Sequence, residues 1–225
     1  MKYLIKLFDL ITLSLLDGYL KLSGYKTIIA ETDEQKEMAY KLRWKVFNDE
    51  GHFNKEFSEQ MWSDTCDNHS VQFLVFKNKE LVGTIRLIID ITKEMGLTDD
   101  FNVKINPDLY LENIVEIGRF VVNKSHRVKS RLVTLALVRT AHRYSIENNI
   151  NWWIGCASES LLKSFNKFVK YEKLEEYELT AEQENSRKEF AGYFKHRIVP
   201  FIINVKEISP YKGLSAQWKS DLKKL

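Results

Sequence analysis

The sequence has 225 residues, of which 44% are hydrophobic and 29% are charged, and its formal net charge is +3. This composition is typical of one globular domain with a buried core, and it excludes a disordered or low-complexity chain. The net charge is small and no nucleic-acid-reading motif is found, so no nucleic-acid partner is predicted. The two cysteines, Cys66 and Cys156, indicate no disulfide framework and fit a reducing cytoplasm.

The first 24 residues are rich in leucine and isoleucine but also carry charges. Asp9 and Asp17 interrupt the run of about 20 apolar residues that a membrane-spanning helix requires, and Asp9 lies where a signal peptide would have its apolar core. We therefore expect an amphipathic helix over residues 1–24, followed by a single domain over residues 25–225. The helix either packs on its own domain, covers a groove of that domain as a flap, or lies on a membrane surface, which would make the protein peripheral to the inner membrane.

A short β-like run, Tyr25 to Ala30, precedes a capping box in which Thr32 is followed three residues later by Gln35. The helix that begins there is predicted to end near Asn48. Arg43 lies beside the apolar face of this helix. An arginine at such a position is either solvated along its length or turned inward towards an acidic partner.

Residues 49–70 form an irregular loop in this interpretation, and the loop contains Asp64, Cys66, Asp67 and His69. All three residue types are metal ligands, but their spacing matches no strong zinc pattern, so no metal site is predicted. The flanking carboxylates disfavour the thiolate that a nucleophilic Cys66 would need. Asp64 and Asp67 are therefore expected either to cap turns or to pair with buried arginines.

The sheet is predicted to begin with a hairpin, in which strands Val71 to Lys77 and Leu81 to Ile91 are joined by a tight turn at Asn78-Lys79. Arg86 lies in the middle of the second strand, between apolar neighbours. Because a buried charge is costly unless it is paired, Arg86 is expected to contact a carboxylate.

The next strand, Ile114 to Val122, carries two opposite charges, Glu116 and Arg119. Side chains alternate along a strand, so residues three apart should point to opposite faces. Gly118 lies between the two charges, and a glycine inside a strand often marks a bulge. A bulge there would bring both charges to one face and bend the strand open.

The chain then becomes basic and enters a long apolar helix, predicted from about Ser130 to Glu147 with Ser130 as its N-cap. This basic run is either a solvated turn or a binding surface for an acidic group. Its members are Lys124, His126, Arg127, Lys129 and Arg131.

The remaining chain is predicted to add a strand from Ile150 to Cys156 and a helix capped by Ser158. A charged, exposed stretch follows, and β-like segments from Phe190 to Val205 are expected to be broken by Pro200. The last residues, 214–225, are expected to form a short basic helix. This order of elements predicts an α/β fold, with a mixed central sheet and helices on both faces.

The charges embedded at apolar positions are balanced in sign, which is what a buried ion-pair network requires. Such networks cost stability relative to an apolar core, so a functional site explains them better than a structural role. The six residues are Arg43, Arg86 and Arg119 with Asp64, Asp67 and Glu116.

These charges belong to four ordered motifs: Arg43-Trp-Lys-Val46-Phe47, Asp64-x-x-Asp67, Gly83-Thr84-Ile85-Arg86-Leu87 and Glu116-x-x-Arg119-Phe120. Over about residues 25–170 the chain resembles the acyl-homoserine-lactone (autoinducer) synthases and the related N-acyl amino acid synthases. The resemblance implies the GCN5-related N-acyltransferase (GNAT) fold, with a bulged and splayed central strand. It also implies transfer of a fatty acyl group from a thioester to an amine, without a metal, a cofactor or a covalent enzyme intermediate.

Two departures from the family pattern bear on the substrates. Autoinducer synthases usually carry a glutamate two residues before the first of the paired aspartates, and this chain has Trp62 there. The difference favours an amino acid or related small amine as acceptor over the S-adenosylmethionine of the lactone synthases. The glycines of the usual coenzyme-A loop are absent from Arg127-Val-Lys-Ser130-Arg131-Leu132. Acyl carrier protein and coenzyme A both remain open as the carrier of the acyl donor.

The resemblance assigns candidate roles to the motif residues. Glu116 is the expected general base, Asp67 is the second choice, and Arg119 completes the catalytic set. Arg43, Asp64 and Arg86 are expected to hold this set in place, and one arginine is expected to grip the carboxylate of the acceptor. The acyl donor is assigned to the start of the long helix, where backbone N–H groups would meet a pantetheine phosphate and basic side chains would add charge or dock an acidic carrier protein. The residues assigned to the donor are Arg127, Lys129, Ser130 and Arg131.

Overall fold

The computed structural model describes residues 14–53, 60–89, 113–166, 169–174, 192 and 195–208, apart from the side chains of residues 127–130. Within this part, seven strands form one sheet in the order β1-β2-β3-β4-β5-β7-β6. Neighbouring strands are antiparallel except β4 and β5, which are parallel. The strands are β1 (Tyr25–Ile29), β2 (Ser70–Lys77), β3 (Glu80–Ile88), β4 (Ile114–Val122), β5 (Trp152–Ser158), β6 (Glu172–Lys173) and β7 (Ile198–Asn204).

The helices of the described part are α1 (residues 14–22), α2 (Asp33–Asp49), α3 (Ser130–Glu147) and α4 (Glu159–Phe165), with 3₁₀ turns at Thr65–His69, Lys124–Lys129 and Val205–Glu207. The predicted capping box opens α2: the Thr32 hydroxyl accepts from the Gln35 N–H at 3.3 Å, and the Gln35 side chain accepts from the Thr32 N–H at 3.3 Å. Ser158 caps α4 as predicted, by accepting a hydrogen bond from the Leu161 N–H.

Helices cover both faces of the sheet, as the sequence predicts. Phe73 and Ile85 point to the face on which α3 packs, where they share a core cluster with Leu135. Leu74, the neighbour of Phe73, points to the other face and contacts Ala39 of α2. The alternation along β2 therefore assigns one helix to each face.

The described part of the N-terminal segment packs on this domain. Leu16 and Leu20, one turn apart on α1, are buried in the same cluster as the α3 face of the sheet, and Asp17 accepts a hydrogen bond from Arg139 of α3 at 3.2 Å. Residues 1–13 lie outside the described part, as do most of the charged stretch after Lys173 and the predicted C-terminal helix. Among the residues described, no helix has the length and apolar character needed to cross a bilayer.

The prediction that Pro200 breaks the last strand is wrong, because β7 continues through it from Ile198 to Asn204. Its neighbour β6 is two residues long and pairs with Phe201 and Ile202. The Pro200 carbonyl accepts from the Leu174 N–H on that side. In a strand, the amide nitrogen and the carbonyl of one residue point to the same side, so the nitrogen of Pro200 also points towards β6. The N–H that proline lacks would therefore lie at the end of this short strand, where a proline is tolerated.

Strands β4 and β5 part from each other near the centre of the sheet. Their pairing runs from Ile114–Trp152 to Glu116–Ile154, while β4 continues beside β3 to Val122 and β5 continues beside β7 to Ser158. The splayed central strand is therefore present as predicted, and it leaves a gap between the last halves of β4 and β5.

Gly155 lies where the two strands begin to part, and its size is required there. A Cβ at this position would lie 2.4 Å from the Ile117 carbonyl oxygen and 3.1 Å from Cζ of Phe201. We expect Gly155→Ala to lower the free energy of unfolding by about 1–3 kcal/mol, because the strands must move to accept the methyl group. Urea denaturation measures this loss.

Gly18→Ala in α1 is the matched control, because a methyl group added at Gly18 would have no atom within 4 Å. Alanine is the better helix former, so this variant should gain up to about 1 kcal/mol. A loss of stability in both variants would contradict the steric argument.

Candidate active site

The site is built from side chains that face α2. Gln72 of β2 and Arg86 of β3 lie directly opposite each other in the sheet, and both are buried. Arg43 lies on the buried stripe of α2 with Ala39 and is fully enclosed. Helix and sheet thus place two guanidinium groups in one layer beneath the surface.

Two aspartates reach this layer from the 3₁₀ turn Thr65–His69. Asp64 precedes the turn, and its backbone N–H donates to Oδ2 of Asp67 at 3.0 Å. The Asp67 N–H donates in return to the Asp64 carbonyl at 3.0 Å. This local pairing fixes the Asp67 carboxylate relative to the backbone of Asp64.

The carboxylates and guanidinium groups then form one connected network. Arg43 donates through Nη1 to both oxygens of Asp67, at 2.9 and 3.0 Å, and through Nη2 to Gln72. Arg86 donates to Asp67 at 2.8 Å and also to Asp64. Arg119 donates to Asp64 through Nε at 3.1 Å and through Nη2 at 2.6 Å. The structure therefore favours pairing with arginines over turn capping alone for the two aspartates, and inward pairing over solvation for Arg43.

A bulge in β4 carries Arg119 to this network. Arg86 lies opposite Gly118 and Thr84 lies opposite Val121, so two residues of β4 face Ile85 alone. Arg119 has a φ of +52°, in the left-handed region that few non-glycine residues adopt. The bulge is predicted correctly, but the strained residue is Arg119 and not the glycine beside it.

Trp62 supports the bulged arginine from the other side. The guanidinium carbon of Arg119 lies 4.0 Å from the centroid of the Trp62 ring, which is within the range of a cation–π contact. The Arg119 side chain stays 25% exposed, whereas Arg43 is sealed off completely. Arg119 is therefore the guanidinium group of the network that a ligand can approach most readily.

Glu116 and Arg119 line the same pocket, which occupies the gap between β4 and β5. The pocket has a volume of about 180 Å³. A Cβ at Gly118 would lie 3.8 Å from Oε1 of Glu116, so the carboxylate lies beside the glycine. Apolar side chains from β5, α4, the segment after α4 and β7 form much of the remaining wall, among them Trp153, Leu161, Leu162, Phe165, Val169 and Phe201.

Asp64 and Asp67 lie behind this pocket and do not line it. Asp67 is buried, and its two oxygens accept from Arg43, Arg86, Gln72 and the backbone of Asp64. Asp67 therefore holds the side chains of Arg43 and Arg86 in position.

Charge pairing controls the ionisation of these groups. Burial by itself raises the pKa of a carboxyl, but Arg119 and Arg86 outweigh burial and hold the pKa of Asp64 below its ordinary value. Arg43 and Arg86 likewise lower the pKa of Asp67. Burial lowers the pKa of Arg43 to about 10 despite Asp67, whereas two carboxylates together overcome burial and raise the pKa of Arg86.

These pKa shifts predict how stability depends on pH. Because the folded-state pKa values of Asp64 and Asp67 are lowered, their contribution to stability is present above the ordinary carboxyl pKa of about 3.9 and is lost as the pH falls through the folded-state values. We expect little change in their contribution from neutral pH down to about pH 5 and a progressive loss below about pH 4. Urea denaturation at a series of pH values measures this curve. Asp64→Asn should flatten its acid limb, and an unchanged limb in that variant would show that the pairing does not stabilise the fold.

The two cysteines differ in their surroundings, and neither forms a disulfide. Burial, together with the charge of Asp64, raises the pKa of Cys66 to about 11. This agrees with the prediction that the flanking carboxylates disfavour a thiolate. Cys156 is half-buried and contributes to the wall of the pocket.

The residues assigned to the acyl donor are described in part. The backbone forms a 3₁₀ turn over Lys124–Lys129, and α3 begins near the predicted position, with Ser130 as its first helical residue and not as its N-cap. Arg131 is exposed, while the side chains of Arg127, Lys129 and Ser130 lie outside the described part. Their assignment therefore stays a prediction.

Sequence reasoning missed two members of the site. Gln72 bridges Arg43 and Asp67, and Trp62 covers Arg119. A glutamine at a buried position of an apolar strand was the available signal for Gln72. The aromatic contact of Trp62 depends on a bulge in a strand distant in sequence, and no local pattern indicates it.

Comparisons with known proteins agree with this architecture. A family model described as "N-acyl amino acid synthase FeeM" matches residues 38–185. No curated protein sequence matches the chain. Three similar solved structures are the acyl-homoserine-lactone synthase LasI, FeeM and MesI, and the last of these is described as a CoA-dependent acyl-homoserine lactone synthase.

The structural similarity extends over most of each chain. LasI is 18% identical with a TM-score of 0.62, and the match covers 84% of this chain and 94% of LasI. FeeM, from uncultured soil microbes, is 12% identical with a TM-score of 0.54, covering 81% and 92%. MesI is 16% identical with a TM-score of 0.57, covering 85% and 94%. At these identities the matches show the fold, and they confirm the predicted GNAT-like architecture.

Proposed function

The chain belongs to the FeeM family of N-acyl amino acid synthases, and from this premise we propose that it moves a fatty acyl group from an acyl thioester to the amine of an amino acid or a related small molecule. One observation carries the proposal: Glu116 and Arg119 lie on the wall of an apolar pocket that opens between two parted strands. An acyl chain, a base and a cation for an anionic acceptor can meet there.

The pocket suits the acyl chain of the donor. Much of its wall consists of aliphatic and aromatic side chains such as Leu161, Phe165 and Phe201. Burying a methylene group there stabilises the complex by about 0.8 kcal/mol. The thioester carbonyl would then lie at the mouth of the gap, beside the β4 backbone.

Glu116 is the proposed general base. The attacking amine must lose a proton, and a carboxylate that accepts it directly or through one water molecule accelerates the step by about 10²–10⁴. In the reaction, the amine nitrogen bonds to the carbonyl carbon, the C–S bond breaks, and the thiol departs with a proton. Asp67 is less suited, because it is buried behind the pocket and bound to Arg43 and Arg86.

The β4 backbone is the proposed source of oxyanion stabilisation. Pairing with β5 ends at Glu116, so N–H groups of the following residues that face the gap have no β5 strand opposite them. Preorganised donors of this kind stabilise the negative charge that develops on the carbonyl oxygen.

The position of Arg119 favours an anionic acceptor. The three guanidinium groups are matched in number by the carboxylates of Asp64, Asp67 and Glu116, so the preference comes from the one guanidinium group that is partly exposed at the pocket and not from a net charge. Arg119, which is partly exposed at the pocket, is the proposed partner for the acceptor's carboxylate. Trp62 lies against this arginine, and this apolar ring stands where lactone synthases usually have a carboxylate. That difference makes the amino acid the preferred acceptor over S-adenosylmethionine.

Thiol release from an acyl thioester tests the proposal. The protein is incubated with acyl carrier protein or coenzyme A thioesters, and free thiol is measured with single amino acids, with S-adenosylmethionine, or with neither. We expect release that depends on an amino acid with a free amine and not on its N-acetylated form, whose nitrogen is not nucleophilic. Release driven by S-adenosylmethionine alone would identify a lactone synthase. The proposal does not specify which carrier holds the acyl group, so both kinds of thioester are tested. MesI, one of the similar structures, is described as CoA-dependent.

A further inference from the structure

A second cavity lies away from the proposed active site, between α1, β1 and the C-terminal half of α3. Its volume is about 480 Å³. It shares no lining residue with the pocket between β4 and β5. In the sheet, β1 is three strands from β4, which corresponds to about 14 Å between backbones.

The charge of this cavity is strongly positive for a chain whose formal net charge is +3. Lysines from α1 and β1 face arginines from α3 across it. The charged lining residues are Lys21, Lys26, Arg139 and Arg143, with Asp17 as the single acidic residue among those that line it.

The cations of the cavity are poorly neutralised within the described residues. Neither Lys21 nor Lys26 forms an ion pair there, and Arg143 has a loose contact of 4.0 Å with the exposed carboxylate of Glu147. Asp17 is shared with Arg139 at 3.2 Å and is itself 44% exposed. Four like charges held around one cavity repel each other, so an anion that enters it is attracted by all of them.

Arg139 gives a second, independent indication. Its side chain is 12% exposed, yet its Nε–H is buried and has no hydrogen-bond partner in the described structure. A buried donor without a partner is costly, so the described residues do not fully satisfy this guanidinium group. An oxyanion in the cavity would meet the part of the guanidinium group that lines it and would balance the surrounding charge.

We propose that this cavity binds a phosphate monoester. Phosphate brings up to two negative charges and several acceptor oxygens, which match an arginine fork and neighbouring lysines better than a single carboxylate does. Thr27 adds a polar side chain to the lining, and the buried Leu20 and Tyr25 give the organic part an apolar contact. The cavity volume corresponds to a small-molecule site.

Isothermal titration at constant ionic strength tests the proposal with sn-glycerol 3-phosphate and inorganic phosphate as probes and glycerol as the uncharged control. We expect saturable heat with both phosphates at millimolar or lower concentration and none with glycerol. Arg139→Gln and Lys26→Gln should each weaken binding roughly tenfold or more, the equivalent of one charge-assisted hydrogen bond. Lys41→Gln, an exposed lysine of α2 outside the cavity, should leave binding unchanged.

Sedimentation with vesicles distinguishes a soluble ligand from a lipid headgroup. Phosphatidylcholine vesicles with and without phosphatidic acid present the same phosphate monoester in a bilayer. If binding requires phosphatidic acid and is lost in Lys26→Gln, the proposal is supported and the phosphate monoester belongs to a lipid headgroup. Lys26 is exposed on β1, so this variant keeps the test informative if Arg139→Gln fails to fold. The phosphate-site proposal is overturned if the protein binds none of the phosphate probes. It is also overturned if Arg139→Gln and Lys26→Gln bind them as well as the wild-type protein does. Neither result affects the proposed acyl transfer.

Discussion

Replacing Arg43 with alanine is expected to destabilise the protein by about 3–5 kcal/mol. The side chain is fully buried and donates to both oxygens of Asp67 and to Gln72. Its removal leaves a cavity, an amide without its partner and a buried carboxylate that has lost one of two guanidinium groups. Chemical denaturation measures the loss, and a domain of ordinary stability would be close to unfolding.

Two further variants control for position and exposure. Arg119→Ala should cost less than Arg43→Ala, because Arg119 is a quarter exposed and Asp64 keeps Arg86 as a partner. Lys41→Ala, which removes an exposed pair with Glu37, should change stability by no more than about 0.5 kcal/mol. Equal losses for Arg43→Ala and Lys41→Ala would show that the network is solvated and not buried.

Glu116→Gln is expected to lower turnover by about 10²–10⁴. The substitution keeps the size of the side chain but removes the ability to take a proton from the amine. Because the effect is on the chemical step, kcat should fall while KM for the acyl donor changes little. Initial rates of thiol release measure both constants.

The control for this variant is Glu172→Gln, which changes an exposed glutamate of the same sheet and should leave the rate unchanged. If both variants melt at nearly the same temperature as the wild-type protein, the loss of turnover in Glu116→Gln is due to the chemical step and not to unfolding. A Glu116→Gln protein that turns over at the wild-type rate would remove this residue from the mechanism, and the base would have to be sought elsewhere in the pocket.

Local signals in the sequence were sufficient for most of the fold. The bounds of β4 are those predicted, Ile114–Val122, because an apolar run with β-branched residues determines a strand over its own length. The capping box determines where α2 begins in the same local way. Pro200 shows the limit: whether a proline is tolerated depends on which strand lies beside it, and β6 is distant in sequence and too short to predict.

The membership of the charged network was predictable, but its pairing was not. Charges at apolar positions of α2, β3 and β4 indicate that partners exist, since unpaired burial is costly. Which arginine meets which aspartate depends on the bulge at Arg119 and on the turn that holds Asp64 and Asp67 together. The local sequence does not fix that geometry, so the sequence alone does not show which carboxylates reach the pocket.

Formation of an amide bond is the most direct test of the account. The protein is incubated with a thioester labelled with ¹³C at the acyl carbonyl and with an ¹⁵N-labelled amino acid, and the product is examined by carbon NMR. We expect a carbonyl signal split by one-bond coupling to ¹⁵N, and we expect this signal to be strongly reduced with Glu116→Gln. Labelled free fatty acid alone, or an unsplit ester carbonyl, would contradict it.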